Sequence, residues 1–272
     1  MTCRVELLCI GNELVVGRTV NTNATWLARR ITLLGGSINR ITTVGDRLDE
    51  LRRTVRGILA RKPDFLITSG GLGPTFDDMT ISGIAHALDL PLRINRDALN
   101  QVKARYRKIF SPRRYRLSKF RLKMATFPTG GRPLLNPVGT APGMMINVAK
   151  TTVICLPGVP KELRAIFTSH VAPMIRLRSG GNEYLSETIS VSGVFESEIA
   201  PLLDRVMRKQ RQIYVKSHPQ GGEGRNNSRL NLNFSYVGTD VEKGREAVSK
   251  GIKYMRNLLA ERTRDLTGRR SH

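Results

Sequence analysis

Thr68-Ser69-Gly70-Gly71-Leu72-Gly73-Pro74-Thr75-Phe76-Asp77-Asp78-Met79-Thr80 decides how the chain is read. The apolar run Phe65-Leu66-Ile67 before it has the character of a buried parallel strand, and Ile81, Ile84, Ala85 and Leu88 after it follow helical spacing. A glycine-rich turn between strand and helix lets backbone N–H groups approach a phosphate, and the helix N-terminus adds partial positive charge. The adjacent carboxylates of Asp77 and Asp78 would repel that phosphate unless a divalent cation sat between them. Turn and acid pair together point to metal-assisted chemistry on a phosphate or pyrophosphate. A plainer reading stays open, in which the glycines only make a tight turn and the aspartates cap a helix. Neither G-x-x-x-x-G-K-[ST] nor a complete G-x-G-x-x-G occurs here.

The chain has 272 residues, 40% of them hydrophobic, enough for one large domain or two smaller ones. Its longest apolar runs are far too short to cross a bilayer, and Arg4 and Glu6 interrupt the opening apolar stretch, so neither a membrane span nor a signal peptide is expected. Cys3, Cys9 and Cys155 are scattered, as are the four histidines, which argues against zinc and fits reduced thiols in a cytoplasmic protein. The formal charge is +23. Such a charge attracts polyanions of many kinds, and it also fits a generally basic soluble protein.

Outward from the central turn, 4–10 reads as a first strand running into Gly11-Asn12-Glu13, a favoured ligand position in an open α/β sheet. Asn21-Thr22-Asn23 caps a helix, and residues 37–44 form a second strand. Asp46 is read first as the N-cap of the next helix and second as a ligand on the cation side. Residues 103–123 hold ten Lys/Arg and no acid, interleaved with Tyr106, Phe110, Tyr115 and Phe120. A solvated face anchored by its aromatics, or a basic lid, is preferred over a nucleic-acid surface, because Ser111-Pro112 breaks any single long helix. The Pro/Gly loop 136–143, the hairpin at Ala149-Lys150, and Pro160 opening a helix complete the first unit; Pro173 should kink or end that helix. Arg178–Asn182 reads as a linker. Beyond it, a β-α-β-β-α run over 183–262 forms a small α+β domain, with a glycine-rich turn at 221–224 and a basic, aperiodic tail at 263–272.

Seven blocks occur in one order, Gly11-Asn-Glu-Leu, Gly17, Asn21-Thr-Asn23, Val44-Gly-Asp46, the 68–78 stretch, Asn136–Gly143 and Leu156–Glu162, and the pattern continues more weakly through Gly193-Val-Phe-Glu-Ser197. Together they resemble the MoaB/Mog-type molybdopterin-binding fold, in particular the N-terminal region of the CinA (competence/damage-inducible) family. The resemblance implies an α/β domain over residues 1–178, a three-layer, doubly wound, mostly parallel sheet, followed by the smaller α+β domain. It does not extend to the family's C-terminal deamidase domain, so that activity is not expected. Asn12 and Asn21 stand where the family usually has aspartate, and Phe76 where histidine is frequent.

Relatives of this kind cleave ADP-ribose-type dinucleotides with a divalent metal, or bind molybdopterin and in some cases adenylylate it. The first activity is the expectation here, with molybdopterin binding or adenylyl transfer as the alternative. On that reading Gly70, Gly71 and Gly73 hold a phosphate. Asp77, Asp78 and Asp46 hold Mg, Mn or Co, which lowers the pKa of an attacking water. Thr80 contacts a phosphate oxygen or caps the helix. Gly11, Glu13 and Asn23 border the nucleotide, and Gly139, Thr140 and Gly143 form the facing wall. Lys161 neutralises developing charge, with Glu162 only a dipole partner for its helix. The expected partners are a nucleotide or pterin-phosphate small molecule and further copies of the chain. A nucleic-acid binder ranks third, because the small domain lacks the aromatic RNP pattern and a Gly-x-x-Gly clamp, so any such binding is not expected to be sequence-specific.

Overall fold

The computed structural model describes residues 3–109, 118–220 and 228–268. Phe110, Ser111-Pro112 and Tyr115 of the basic segment, the turn at 221–224 and the last four residues of the expected tail lie outside the described residues. The chain divides into two compact units, Met1–Ser179 and Gly180–His272.

The first unit is built on a six-stranded sheet. Its strands are β1 (Cys3–Ile10), β2 (Gly36–Val44), β3 (Phe65–Ser69), β6 (Arg132–Leu134), β7 (Gly143–Val148) and β8 (Thr151–Leu156), in the order β2-β1-β3-β8-β7-β6. β1, β2, β3 and β8 run parallel, whereas β7 is antiparallel to both its neighbours. All of β3 is buried, its apolar run 65–67 followed by Thr68 and Ser69, as fits a strand covered on both faces. Alternation sends Leu66 to one side, with Leu8, Val153 and Cys155, and Phe65 and Ile67 to the other.

Each face is covered by helices with a 3.6-residue apolar stripe. Helices α3 (Leu48–Ala60), α4 (Thr80–Ala87) and α5 (Arg96–Ile109) close the first face through Leu51, Val55, Ile84 and Val102. Helices α2 (Thr22–Leu33), α7 (Pro160–Ile166) and α8 (Ala172–Arg178) close the second through Leu27, Ile31, Ile166 and Ile175. This is the three-layer, mostly parallel architecture expected from the sequence. A short helix α1 (Asn12–Val15) follows β1, α6 (Lys119–Lys123) follows the basic segment, and β4 (Leu92–Ile94) pairs with β5 (Thr126–Pro128) as a separate ribbon.

Three local readings change. Asp46 does not cap α3: the N-cap position is Arg47 and carries no side-chain cap bond. Pro173 neither ends nor simply kinks its helix, because a π-helical turn over Phe167–Val171 supplies the extra residue and Pro173 falls in the first turn of α8. The second unit has β9 (Glu183–Ser192), α9 (Glu196–Lys209), β10 (Ile213–Pro219), β11 (Arg229–Gly238) and α10 (Val241–Gly268). Its last helix therefore continues through 263–268, where an aperiodic tail was expected. Among the described residues no helix is long and apolar enough to cross a membrane.

The tightest backbone contact in the first unit is at Gly70, after β3. Its φ is +102°, and a Cβ there would stand 2.2 Å from the carbonyl oxygen of Ile10 at the end of β1. Gly70→Ala is expected to cost about 2–4 kcal/mol from strain plus backbone displacement. Gly17→Ala, at φ +72° with nothing within 4 Å, should cost roughly 1 kcal/mol. Urea unfolding followed by the fluorescence of Trp26 separates the two.

Candidate functional site

In a parallel sheet with helices on both faces, the loops after the strands gather at one edge, and a cleft opens where neighbouring connections diverge. Gly11 follows β1, Asp46 follows β2, Gly70 follows β3 and Pro157 follows β8; all four border one cavity of about 580 Å³.

The glycine turn is locked from beneath. The Gly70 amide donates to Leu156 O at 3.0 Å, and the Thr80 amide donates to Gly71 O at 3.2 Å. The Thr80 hydroxyl, 1% exposed, donates to Gly70 O at 2.7 Å. A Cβ on Gly71 would lie 2.2 Å from that hydroxyl. Thr80 is thus a buried brace for the turn and does not line the cavity, contrary to the phosphate contact considered for it. The amides of Gly71, Leu72 and Gly73 make no hydrogen bond among the described residues, although Leu72 is 6% exposed. These unbonded amides at the cavity wall are donors open to an acceptor.

The opposite wall comes from the start of α2 and the turn after β8. Asn21 Oδ1 accepts from the Ala24 amide at 3.0 Å and caps α2, a role open to asparagine as much as to aspartate. Asn23 Nδ2 donates to Gly158 O at 2.7 Å and ties the two segments together. Gly11, Glu13, Asn23, Gly73 and Thr140 line the cavity as expected. Gly139 and Gly143 do not. Gly139 packs against the Glu162 carboxylate, which leaves no room for a Cβ, and Gly143 opens β7 with its Cα side against Cys155 O.

Acid, not base, dominates the lining. Glu13, Asp46, Asp77, Asp78 and Glu162 all border the cavity, and among the described residues no lysine or arginine does. Lys161 is exposed on α7 and does not line it, so the charge-neutralising role assigned to it is not supported. Its neighbour Glu162 takes that place, held by Asn136 Nδ2 at 2.7 Å. Asn136 also accepts from the Gly139 amide at 2.7 Å, so one side chain organises the whole 136–141 loop. Phe76, 84% exposed, is not part of the lining.

Each acid expected to bind a cation has one oxygen engaged locally. Asp46 Oδ2 accepts from the Asn12 amide at 2.8 Å, while Asn12 Oδ1 accepts from the Asp46 amide at 3.2 Å. Asn12 therefore closes a reciprocal clamp between the ends of β1 and β2. Thr75 donates to Asp78 Oδ2 through its amide (2.8 Å) and hydroxyl (2.6 Å), and its hydroxyl also contacts Asp77 Oδ1. Among the described residues no three His, Cys, Asp or Glu side chains converge as a metal-binding group. The expected three-aspartate centre is thus corrected: Asp46 shares the cavity with Asp77 and Asp78, but the three do not converge as one metal-binding group among the described residues, and one Asp46 oxygen is taken by the Asn12 amide. The arrangement still fits magnesium, which takes one or two carboxylates and fills its shell with water and phosphate oxygens.

Electrostatics follow the geometry. Burial raises the Asp46 pKa above the ordinary carboxylate value, with Glu13, Asp77 and Asp78 adding to the rise against the opposing Asn12 amide bond. The Thr75 hydroxyl holds Asp77 below that value, with help from Lys123. The described part of the basic segment braces the site. Lys123 Nζ donates to Thr75 O, Arg105 Nη2 donates to Val138 O, and Tyr106 lines the cavity with Arg121 4.2 Å from its ring centroid. Phe120, expected as a core anchor, is 63% exposed.

Residues 6–177 match the family model described as a probable molybdopterin binding domain, and the chain belongs to this MoaB/Mog-type family. Similar proteins include one from Metallosphaera sedula, 41% identical over 261 residues and 96% of each chain, and one from Pyrobaculum aerophilum, 43% identical over 254 residues and 93% of each. Among solved structures, the protein CinA of unknown function from Thermoplasma acidophilum is 41% identical. It covers 64% of this chain and 98% of its own, with a TM-score of 0.58.

Because the folded pKa of Asp46 is raised, folding takes up a proton there, and stability is lost as pH rises from the unfolded carboxylate value through the folded one. Asp46→Asn keeps an acceptor for the Asn12 amide and removes the charge. It should be more stable than the parent at pH 7, with the gap closing below about pH 4. Paired urea titrations at several pH values give that difference directly.

Proposed function

We propose that the cavity of the first unit binds a molybdopterin-type ligand, a pterin carrying a phosphate, together with a divalent cation. The observation that carries this reading is the set of unbonded amides at Gly71, Leu72 and Gly73 beside the Asp77–Asp78 pair. A phosphate seated on those amides satisfies donors that have no partner among the described residues. Its negative charge beside two carboxylates calls for a cation, and Asp77 and Asp78 would hold a magnesium ion that supplies that charge. The remaining acids suit the other end of the ligand. The aminopyrimidinone edge of a pterin presents N–H donors, and Asp46, Glu13 and Glu162 offer acceptors around a cavity large enough for a fused ring system. Membership of a family described as molybdopterin-binding supports the same ligand class.

The acid ring also favours a second reading, hydrolysis of a nucleoside-diphosphate metabolite such as ADP-ribose. Asp46, with its pKa raised by burial and by neighbouring acids, is suited to take a proton from water. A divalent ion at Asp77 and Asp78 would supply charge stabilisation to the pyrophosphate.

Calorimetric titration with molybdopterin tests the first reading. With Mg²⁺ present, binding should be at least about tenfold tighter than without it, and Asp77→Asn/Asp78→Asn should remove that dependence. Glu162→Gln should weaken binding at either Mg²⁺ concentration. Affinity unmoved by metal and by all these substitutions would exclude the site. Turnover of ADP-ribose with Mg²⁺, Mn²⁺ or Co²⁺, reduced by about 100-fold or more in Asp78→Asn, would favour the second reading.

A further inference from the structure

The second unit has its own sheet, in the order β10-β11-β9 and fully antiparallel. Helices α9 and α10 pack on one face, against Ile213, Val215, Leu230, Leu232 and Phe234. The register has no shift, so strict alternation assigns the intervening residues to the opposite face. Tyr214, Lys216 and His218 stand there at successive positions of β10, about 6.8 Å apart along the strand. They are paired across the sheet with Ser235, Asn233 and Asn231, and Arg229 lies at the end of the same row on β11. Tyr214 is 61% exposed, and Lys216, His218 and Arg229 are exposed as well.

The face carries bases and, among the described residues, no acid. The chain has 22 Asp and Glu, but none stands on this face among the described strand residues. Glu183 and Glu187, the acids of β9, alternate to the helix side. In their place β9 presents hydroxyls that hold the central amides. The Ser190 hydroxyl donates to Asn231 Oδ1 at 2.7 Å, and Asn233 Nδ2 donates to Thr188 Oγ1 at 3.0 Å. The Nδ2 of Asn231 and the Oδ1 of Asn233 make no hydrogen bond among the described residues, which leaves one oriented donor and one oriented acceptor side by side.

We propose that this open face binds single-stranded nucleic acid without strong sequence preference. Lys216 and Arg229 meet backbone phosphates, Tyr214 offers a π-face on which an unstacked base can lie, and the two asparagines meet base edges. A duplex cannot offer a free base face to Tyr214, which restricts the partner to single strands. Charge complementarity selects a polyanion over a protein surface, since among the described strand residues the only aliphatic side chain on the face is Val237, at its margin beside Tyr184.

The test uses the full chain and fluorescein-labelled oligo-U and oligo-dT of about 15 nucleotides, read by fluorescence anisotropy from 50 to 250 mM salt. Tyr214→Ala should weaken binding about tenfold without changing the slope of log Kd against log salt, since stacking releases no counterion. Lys216→Glu should lower that slope by about 0.7 or more. Lys253→Glu carries the same charge change on α10 and should alter affinity by less than about twofold. These substitutions lie at exposed positions, and circular dichroism verifies that each variant is folded. The proposal is overturned if Lys253→Glu weakens binding as much as Lys216→Glu, if Tyr214→Ala has no effect, or if a duplex of equal length binds as tightly. Sedimentation showing self-association that Tyr214→Ala abolishes would instead make the face a contact between copies of the chain.

Discussion

The first unit depends on one backbone approach. At Gly70 the chain leaving β3 passes the carbonyl of Ile10 so closely that no side chain fits between them. That approach brings the ends of β1 and β3 together, and the Thr80 hydroxyl then fixes the turn by holding Gly70 O. With the turn fixed, the amides of Gly71, Leu72 and Gly73 stay without internal partners at the edge of the cavity. A glycine here is therefore both a packing requirement and the means by which a binding surface made of peptide groups is kept in place.

The second organising feature is a reversal of sign. A chain with a formal charge of +23 lines this cavity with five acids and, among the described residues, no base. Near the site the described bases work structurally, as where Lys123 and Arg105 grip the loops at Thr75 and Val138. An anion entering such a cavity needs more than long-range attraction. Backbone amides and a cation provide it locally, and the acids not engaged with that cation remain available to the N–H donors of a ring.

Much of the first unit is written in local pattern. The apolar run 65–67, the glycine turn and the helical stripe from Ile81 lie within one window, and each element's period agrees with its neighbour's, so β3, the turn and α4 are legible without coordinates. What cannot be read this way depends on partners distant in sequence. Asp46 resembles a helix cap because aspartates before helices usually are; its clamp partner, Asn12, is 34 residues away. Lys161 and Glu162 differ by one position on α7, and which of them faces the cavity is set by Asn136, 26 residues earlier. Thr80 looks like a surface hydroxyl at a helix start until its burial under the turn is seen. The basic segment looks like a lid, yet its described residues act as a strut.

The account's central claim is that a ligand phosphate rests on the peptide groups of the glycine turn, and amide chemical shifts report this directly. In ¹⁵N-labelled protein titrated with molybdopterin and Mg²⁺, the amides of Gly71, Leu72 and Gly73 should shift downfield together and saturate, while Gly17 and Gly180 stay in place. A saturable titration in which the turn amides do not move would mean that the ligand binds elsewhere, and the account would be wrong at its foundation.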